Sequence, residues 1–101
     1  MSVKHDNDKV RLDLIDPQFI VAIGKTLTFG AKKYGPNQWQ TVEDATNRYY
    51  AALLRHVVAW RNGEKKDKES KLPHLFHAAT NLMFLMWFDR NGGKENANGK
   101  N

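Results

Sequence analysis

The chain has 101 residues, sixteen Lys and Arg against eleven Asp and Glu, and a formal charge of +5. That length supports one small core and not two, since a chain of this size buries only about 60–65% of its unfolded surface. No Cys is present, which excludes disulfides, thiolate zinc sites and thiol nucleophiles and fits a reducing compartment. No apolar run approaches the roughly 18 residues of a membrane span, and the polar N-terminus is not a signal peptide. A cytoplasmic protein is expected, with no membrane partner.

Residues 1–15 begin charged and then carry RLDLI, a weak alternation that reads as an extended N-terminal arm docked on the domain. Asp16-Pro17 is an N-cap followed by proline at the first helical position. Phe19, Ile23, Leu27, Gly30 and Tyr34 then recur at spacings of three and four, and Gly35-Pro36 stops the run, so a helix is expected over 17–34. A second helix is expected over 41–62, opened by a Thr41 cap with Asp44 as a weak capping box and closed at Gly63. Ala45, Tyr49, Ala52, Leu53, His56 and Trp60 share its inward face. After the charged loop GEKKDKES a third helix is expected over 73–90. It is apolar nearly all round, which marks a central, buried element. The tail from Asn91 is low in complexity and reads as disordered.

The expected fold class is therefore all-α: a small helical bundle with a helical hairpin and a third helix packed across it. Residues 1–90 form one domain and 91–101 a flexible tail. Three helices cannot cover the third helix on every side, and Phe84, Trp87 and Phe88 near its end point to an interface. A homodimer or larger homo-oligomer is expected.

The informative residues are polar ones in apolar surroundings. His74, His77 and Asn81 stand at i, i+3 and i+7, within about 60° of one another on the helix surface. His56 points inward from the second helix. An antiparallel hairpin brings it to that stripe, so His56 and His77 should face each other with Asp67 or Glu69 within reach. Glu64, Asp67 and Glu69 in the connecting loop are placed to close the cluster from one end. Buried polar groups of this number need partners. The second stretch is GAKKYGPNQW (30–39), where Lys32, Lys33, Asn37 and Trp39 surround a helix end. Cations there can meet phosphate and an aromatic ring can stack on a base. Arg48, Arg55 and Arg61 add candidate phosphate contacts, although Arg61 also suits a helix terminus. The modest positive charge fits an anionic nucleotide. It does not make nucleic acid an expected partner, because no helix carries a dense basic stripe.

RLDLI (11–15), GAKKYG..QW (30–39), RYYAALLRHVVAW (48–60), GE..D.ES (63–70) and LPHLFHAATNLMFL (72–85) resemble the phage dATP/dGTP diphosphohydrolase N-terminal domain. That domain is similar to the all-α MazG-like nucleotide pyrophosphohydrolases. The resemblance covers roughly residues 9–88. It implies an oligomeric helical domain that handles nucleoside triphosphates, cutting between the α and β phosphates with Mg²⁺. The residues depart from the wider MazG-like pattern of Glu-x-x-Glu on one helix and Glu-x-x-x-Asp on the next. Arg55, His56 and Ala59 stand on the corresponding helix, and His77 and Asn81 on the next. Hard Mg²⁺ prefers oxygen ligands, whereas imidazoles favour Zn²⁺, Mn²⁺ or another transition metal.

Two functions follow. The first is a (d)NTP pyrophosphohydrolase acting on dATP- or dGTP-type substrates with a divalent metal, Mg²⁺ or Mn²⁺, with Zn²⁺ also compatible. Its expected catalytic residues are His56, Glu69 and His77, and its metal ligands Asp67, Glu69, His74 and His77. Its substrate contacts are Lys32, Lys33, Asn37, Trp39, Arg48, Tyr49, Arg55 and Asn81. The alternative is a non-catalytic protein that binds or sequesters a nucleotide, for example a host-defence signalling nucleotide. A small structural or DNA-associated protein is a third reading, supported by charge alone.

Overall fold

The computed structural model describes residues 8–92. Three α-helices account for most of it: α1 (Pro17–Tyr34), α2 (Ala45–Arg61) and α3 (His74–Arg90), with single 3-10 turns at Leu12–Leu14 and Gln38–Thr41. An isolated bridge between Lys66 and Pro73 is the one strand-like pairing among the described residues. No described helix is long and apolar enough to cross a membrane. The all-α expectation holds. The expectation for the tail beyond Gly92 lies outside the described residues.

Helix α1 has the expected bounds. The Asp16 carboxylate accepts from the Gln18 amide at 3.1 Å, and Pro17 sits in the first turn. Gly35 closes the helix with φ +96°, a conformation that a residue with a Cβ adopts only under strain. Helix α2 begins later than its sequence suggests. Thr41 does not cap it; its hydroxyl donates to the Gln38 carbonyl at 2.9 Å inside the 3-10 turn. Asp44 takes the N-cap position in the left-handed region, φ 54°, and accepts from the Asn47 side chain at 3.0 Å. The backbone reversal at Asp44 prevents the helix from extending back to Thr41.

Helices α2 and α3 pack antiparallel, Tyr49 meeting Phe84 and Phe88 at one end and His56 meeting His74 and His77 at the other. Helix α1 lies against α3, which is thus the central element. Trp39 stacks on Phe84 at 4.6 Å and sets an edge against Trp87 at 5.3 Å, pinning the turn after α1 onto α3. Burial of α3 is incomplete. His74, Ala78, Thr80, Asn81 and Phe88 are buried, whereas Leu75, Leu82 and Met86 form an exposed apolar stripe. The apolar surface left open is therefore this stripe, not the aromatic group at the helix end, which is occupied by Trp39 and Tyr49. The RLDLI segment of the arm forms a 3-10 turn, and Val10, Leu12 and Leu14 are exposed instead of docked.

Candidate functional site

The polar stripe is assembled by helix periodicity and by an ordered loop. The loop after α2 folds back on itself: the Asp67 amide donates to the Leu72 carbonyl at 2.8 Å, the Lys71 amide to the Asp67 carbonyl at 2.9 Å, and the His74 amide to the Lys65 carbonyl at 2.8 Å. Lys71 takes φ +66° to make this reversal. The Ser70 amide donates to Asp67 Oδ2 at 2.8 Å, and the Leu72 amide donates to Ser70 Oγ at 3.1 Å. Charged as it is, the loop is held by its own hydrogen bonds and delivers Glu64, Asp67 and Ser70 to the start of α3.

Three imidazoles meet there. His56 and His77 lie ring over ring at 4.6 Å with 12° between planes, across the hairpin as their spacing implies. His56 Nδ1 and His74 Nδ1 are 2.8 Å apart. His74 Nε2 is 3.1 Å from Glu64 Oε2, and His77 Nε2 is 2.6 Å from Ser70 Oγ and 3.9 Å from Asp67 Oδ2. The Glu64 carboxylate only accepts, so His74 carries a proton on Nε2. In its neutral form His74 then presents a lone pair at Nδ1, and His56 donates to it from its own Nδ1. Ser70 Oγ accepts from the Leu72 amide and pairs with His77 Nε2.

Burial and the neighbouring imidazoles of His77 and His74 push the His56 pKa down to about 4. Burial also lowers that of His77, against the opposing pull of Asp67. For Asp67, burial pushes the carboxyl up, but the Ser70 hydrogen bonds and the two imidazoles outweigh it and hold it below the usual carboxylate range. Neutral imidazoles beside an ionised carboxylate can accept a proton or donate lone pairs to a metal. Among the described residues, His56, Asp67 and His74 bring ligand atoms within 4.8 Å of one another.

The cluster forms one wall of an open cleft of about 1210 Å³ between α1, α2 and the start of α3. The opposite rim carries the end of α1 and the turn that follows. Lys33, Asn37, Trp39, Arg48, Tyr49, Arg55 and Asn81 all line the cleft, together with His56, Asp67, Glu69, His74 and His77. Lys32 is exposed and lies outside the lining. Asn37 stands at the turn with φ 62°. Asn81 is buried and donates to the His77 carbonyl at 2.8 Å, steadying the helix under the imidazole. Tyr49 donates its hydroxyl to the Trp39 carbonyl at 3.0 Å, and burial raises its pKa to about 12. Tyr49 and Trp39 thus fasten the wall of the cleft while lining it. Glu69 pairs with Lys33 and acts on His77 through its charge, without a hydrogen bond to the imidazoles among the described contacts. Ser70 was not among the expected site residues, whereas Glu64 was expected as a loop acid closing the cluster and reaches His74. The Asp67-x-x-Ser70 spacing, in which an Asp side chain accepts from the amide three residues on, is the local signal for the first.

A family model described as dATP/dGTP diphosphohydrolase, N-terminal, matches residues 2–98. The chain belongs to this family. A relative named dATP/dGTP diphosphohydrolase, from Salmonella phage PMBT28, is 37% identical over 89 residues. The match covers 88% of this chain and 30% of that relative, so the chain spans under a third of the relative's length. No solved structure matches.

Proposed function

We propose that this chain binds a purine deoxynucleoside triphosphate in the cleft and hydrolyses it to the monophosphate and pyrophosphate. One observation carries the reading: cations and the imidazole–carboxylate cluster share a single cleft instead of lying on separate faces. Arg48, Arg55 and Lys33 neutralise phosphate charge, Arg offering a planar fork that matches phosphate oxygens. His77, with Asp67 beside it, takes the proton of the attacking water. The water oxygen bonds to the α-phosphorus, the bond from the α-phosphorus to the α–β bridging oxygen breaks, and pyrophosphate leaves with that oxygen. The test is titration calorimetry with dATP and dGTP alongside an assay for released pyrophosphate. Binding of either nucleotide with pyrophosphate release supports the reading, and no heat with either nucleotide overturns it.

A second reading is recognition without turnover. It is supported by the departure from the MazG-like carboxylate pattern, with Arg55, His56 and Ala59 on α2 and His77 and Asn81 on α3. Nucleotide binding with no pyrophosphate released selects it. A homo-oligomer belongs to either reading, supported by the exposed Leu75, Leu82 and Met86 stripe on the central helix. A second copy covers that stripe, and light scattering that returns the 11.6 kDa monomer mass refutes this.

A further inference from the structure

The Mg²⁺ implied by the resemblance to MazG-like enzymes does not fit the donor atoms that converge here. Mg²⁺ requires near-octahedral oxygen ligands and commonly takes carboxylates plus substrate phosphates. Glu69 is engaged by Lys33, and Glu64 is engaged by His74, which leaves Asp67 as the carboxylate facing the imidazoles.

We propose that His56 Nδ1, His74 Nδ1 and the Asp67 carboxylate form a site for one divalent transition-metal ion of the imidazole-binding kind, such as Zn²⁺, and that this site discriminates against Mg²⁺. The inference stands on side-chain geometry and does not depend on whether the cleft takes a nucleotide.

The two Nδ1 atoms lie 2.8 Å apart. Nitrogens each about 2.0–2.1 Å from one ion lie about 2.9–3.4 Å apart for angles between cis-octahedral and tetrahedral, so the separation has to grow by only a few tenths of an ångström, while the His56 proton moves from Nδ1 to Nε2 and the rings turn to aim both lone pairs at the ion. An Asp67 carboxylate oxygen already lies within 4.8 Å of a ring nitrogen of each of these histidines. The outer partners are those a metal-bound histidine needs. Glu64 takes the Nε2–H of His74, fixing its Nδ1 as the ligand atom, and the Ser70 amide holds Asp67 Oδ2. His74 is 5% exposed and emerges from the first turn of α3, so its ring direction is set by packing. Two imidazoles and one carboxylate suit zinc and neighbouring first-row ions and poorly suit magnesium. The three ligands face an open cleft, which leaves room for water or a ligand oxygen in the remaining coordination position.

The test uses the whole chain, stripped with chelator, in the absence of nucleotide. Titration calorimetry with ZnCl₂ should give one ion per chain, and excess MgCl₂ should give no heat and no shift in melting temperature. Co²⁺ should produce a visible d–d absorption that Zn²⁺ displaces. His74→Ala and His56→Ala should each weaken Zn²⁺ binding by at least about 100-fold, with helical circular dichroism retained, while Glu69→Gln leaves the affinity as it is. X-ray absorption of the zinc-loaded wild type needs no variant to fold and should report two imidazole ligands. Equal response to Zn²⁺ and Mg²⁺, a zinc shell without imidazole, or wild-type zinc affinity in folded His56→Ala and His74→Ala overturns the proposal. Zinc binding without nucleotide binding keeps it while removing the proposed hydrolase.

Discussion

The two ends of the α2–α3 pair solve the same packing problem with different chemistry. At one end Tyr49, Phe84, Trp87 and Phe88 surround Trp39, with ring centroids 4.6 to 6.4 Å apart. At the other, 7 residues along α2 from Tyr49, three imidazoles and two carboxylates fill the space between the same helices. Apolar rings gain free energy simply by leaving water. Imidazoles lose hydration on burial and recover it only through partners. The histidine end satisfies this demand, because among the described residues no buried side-chain nitrogen or oxygen lacks a hydrogen-bond partner. Its polar groups are tolerated by the fold, and their convergence on a cleft is what the packing alone does not require. The aromatic end should therefore govern stability and the histidine end ligand binding.

The strongest way to break this division is at Phe88, which is 6% exposed. Phe88→Ala should cost about 3–5 kcal/mol through lost burial and the cavity left behind. Urea denaturation should show a lower midpoint with an unchanged slope. A loss under about 1 kcal/mol would mean that the aromatic end is not the anchor.

His77→Ala is the counterpart at the other end. It removes the partner of Ser70 Oγ and should lower stability by about 1–3 kcal/mol. More tellingly, it should abolish the rise in melting temperature on adding dATP or dGTP. A mutant that keeps the wild-type nucleotide shift moves the site away from this histidine, toward Arg48 and the turn at Asn37 and Trp39.

Gly35→Ala sits between the two ends, at the exit of α1. Its φ of +96° and the nearby Gln38 Cγ, 3.4 Å from an added Cβ, predict a loss of about 1–2 kcal/mol. The same change should loosen the Trp39 turn, read as increased tryptophan fluorescence quenching by acrylamide.

The smallest stability effect is expected at Arg55, which is exposed and lines the cleft. Arg55→Ala should alter stability by no more than about 0.5 kcal/mol and still weaken nucleotide binding measurably in calorimetry. Undiminished affinity would remove Arg55 from the phosphate contacts.

Much of this division is legible in the chain itself. Asp16-Pro17 and Gly35-Pro36 bound α1 because N-capping and a left-handed exit are local events, decided by a few neighbouring residues. The facing of His56 and His77 follows from helical periodicity once the two helices run antiparallel. The start of α2 does not follow from local rules: Thr41 has the right side chain for a cap, but docking of Trp39 on Phe84 accompanies a 3-10 turn there, and the helix waits for Asp44.

What tertiary structure alone decided is the sorting of the polar groups. From spacing, Glu69 and Asp67 are equivalent loop acids, and His56, His74 and His77 are equivalent inward rings. In the fold Glu69 reaches Lys33, 36 residues away in the chain, Ser70 turns to His77, and Glu64 holds the far nitrogen of His74. Those choices leave His56, His74 and Asp67 together. They depend on loop closure and side-chain rotamers, which are set by contacts between residues distant in sequence, so residue type and periodicity specify which groups are available and the packed structure specifies which of them meet.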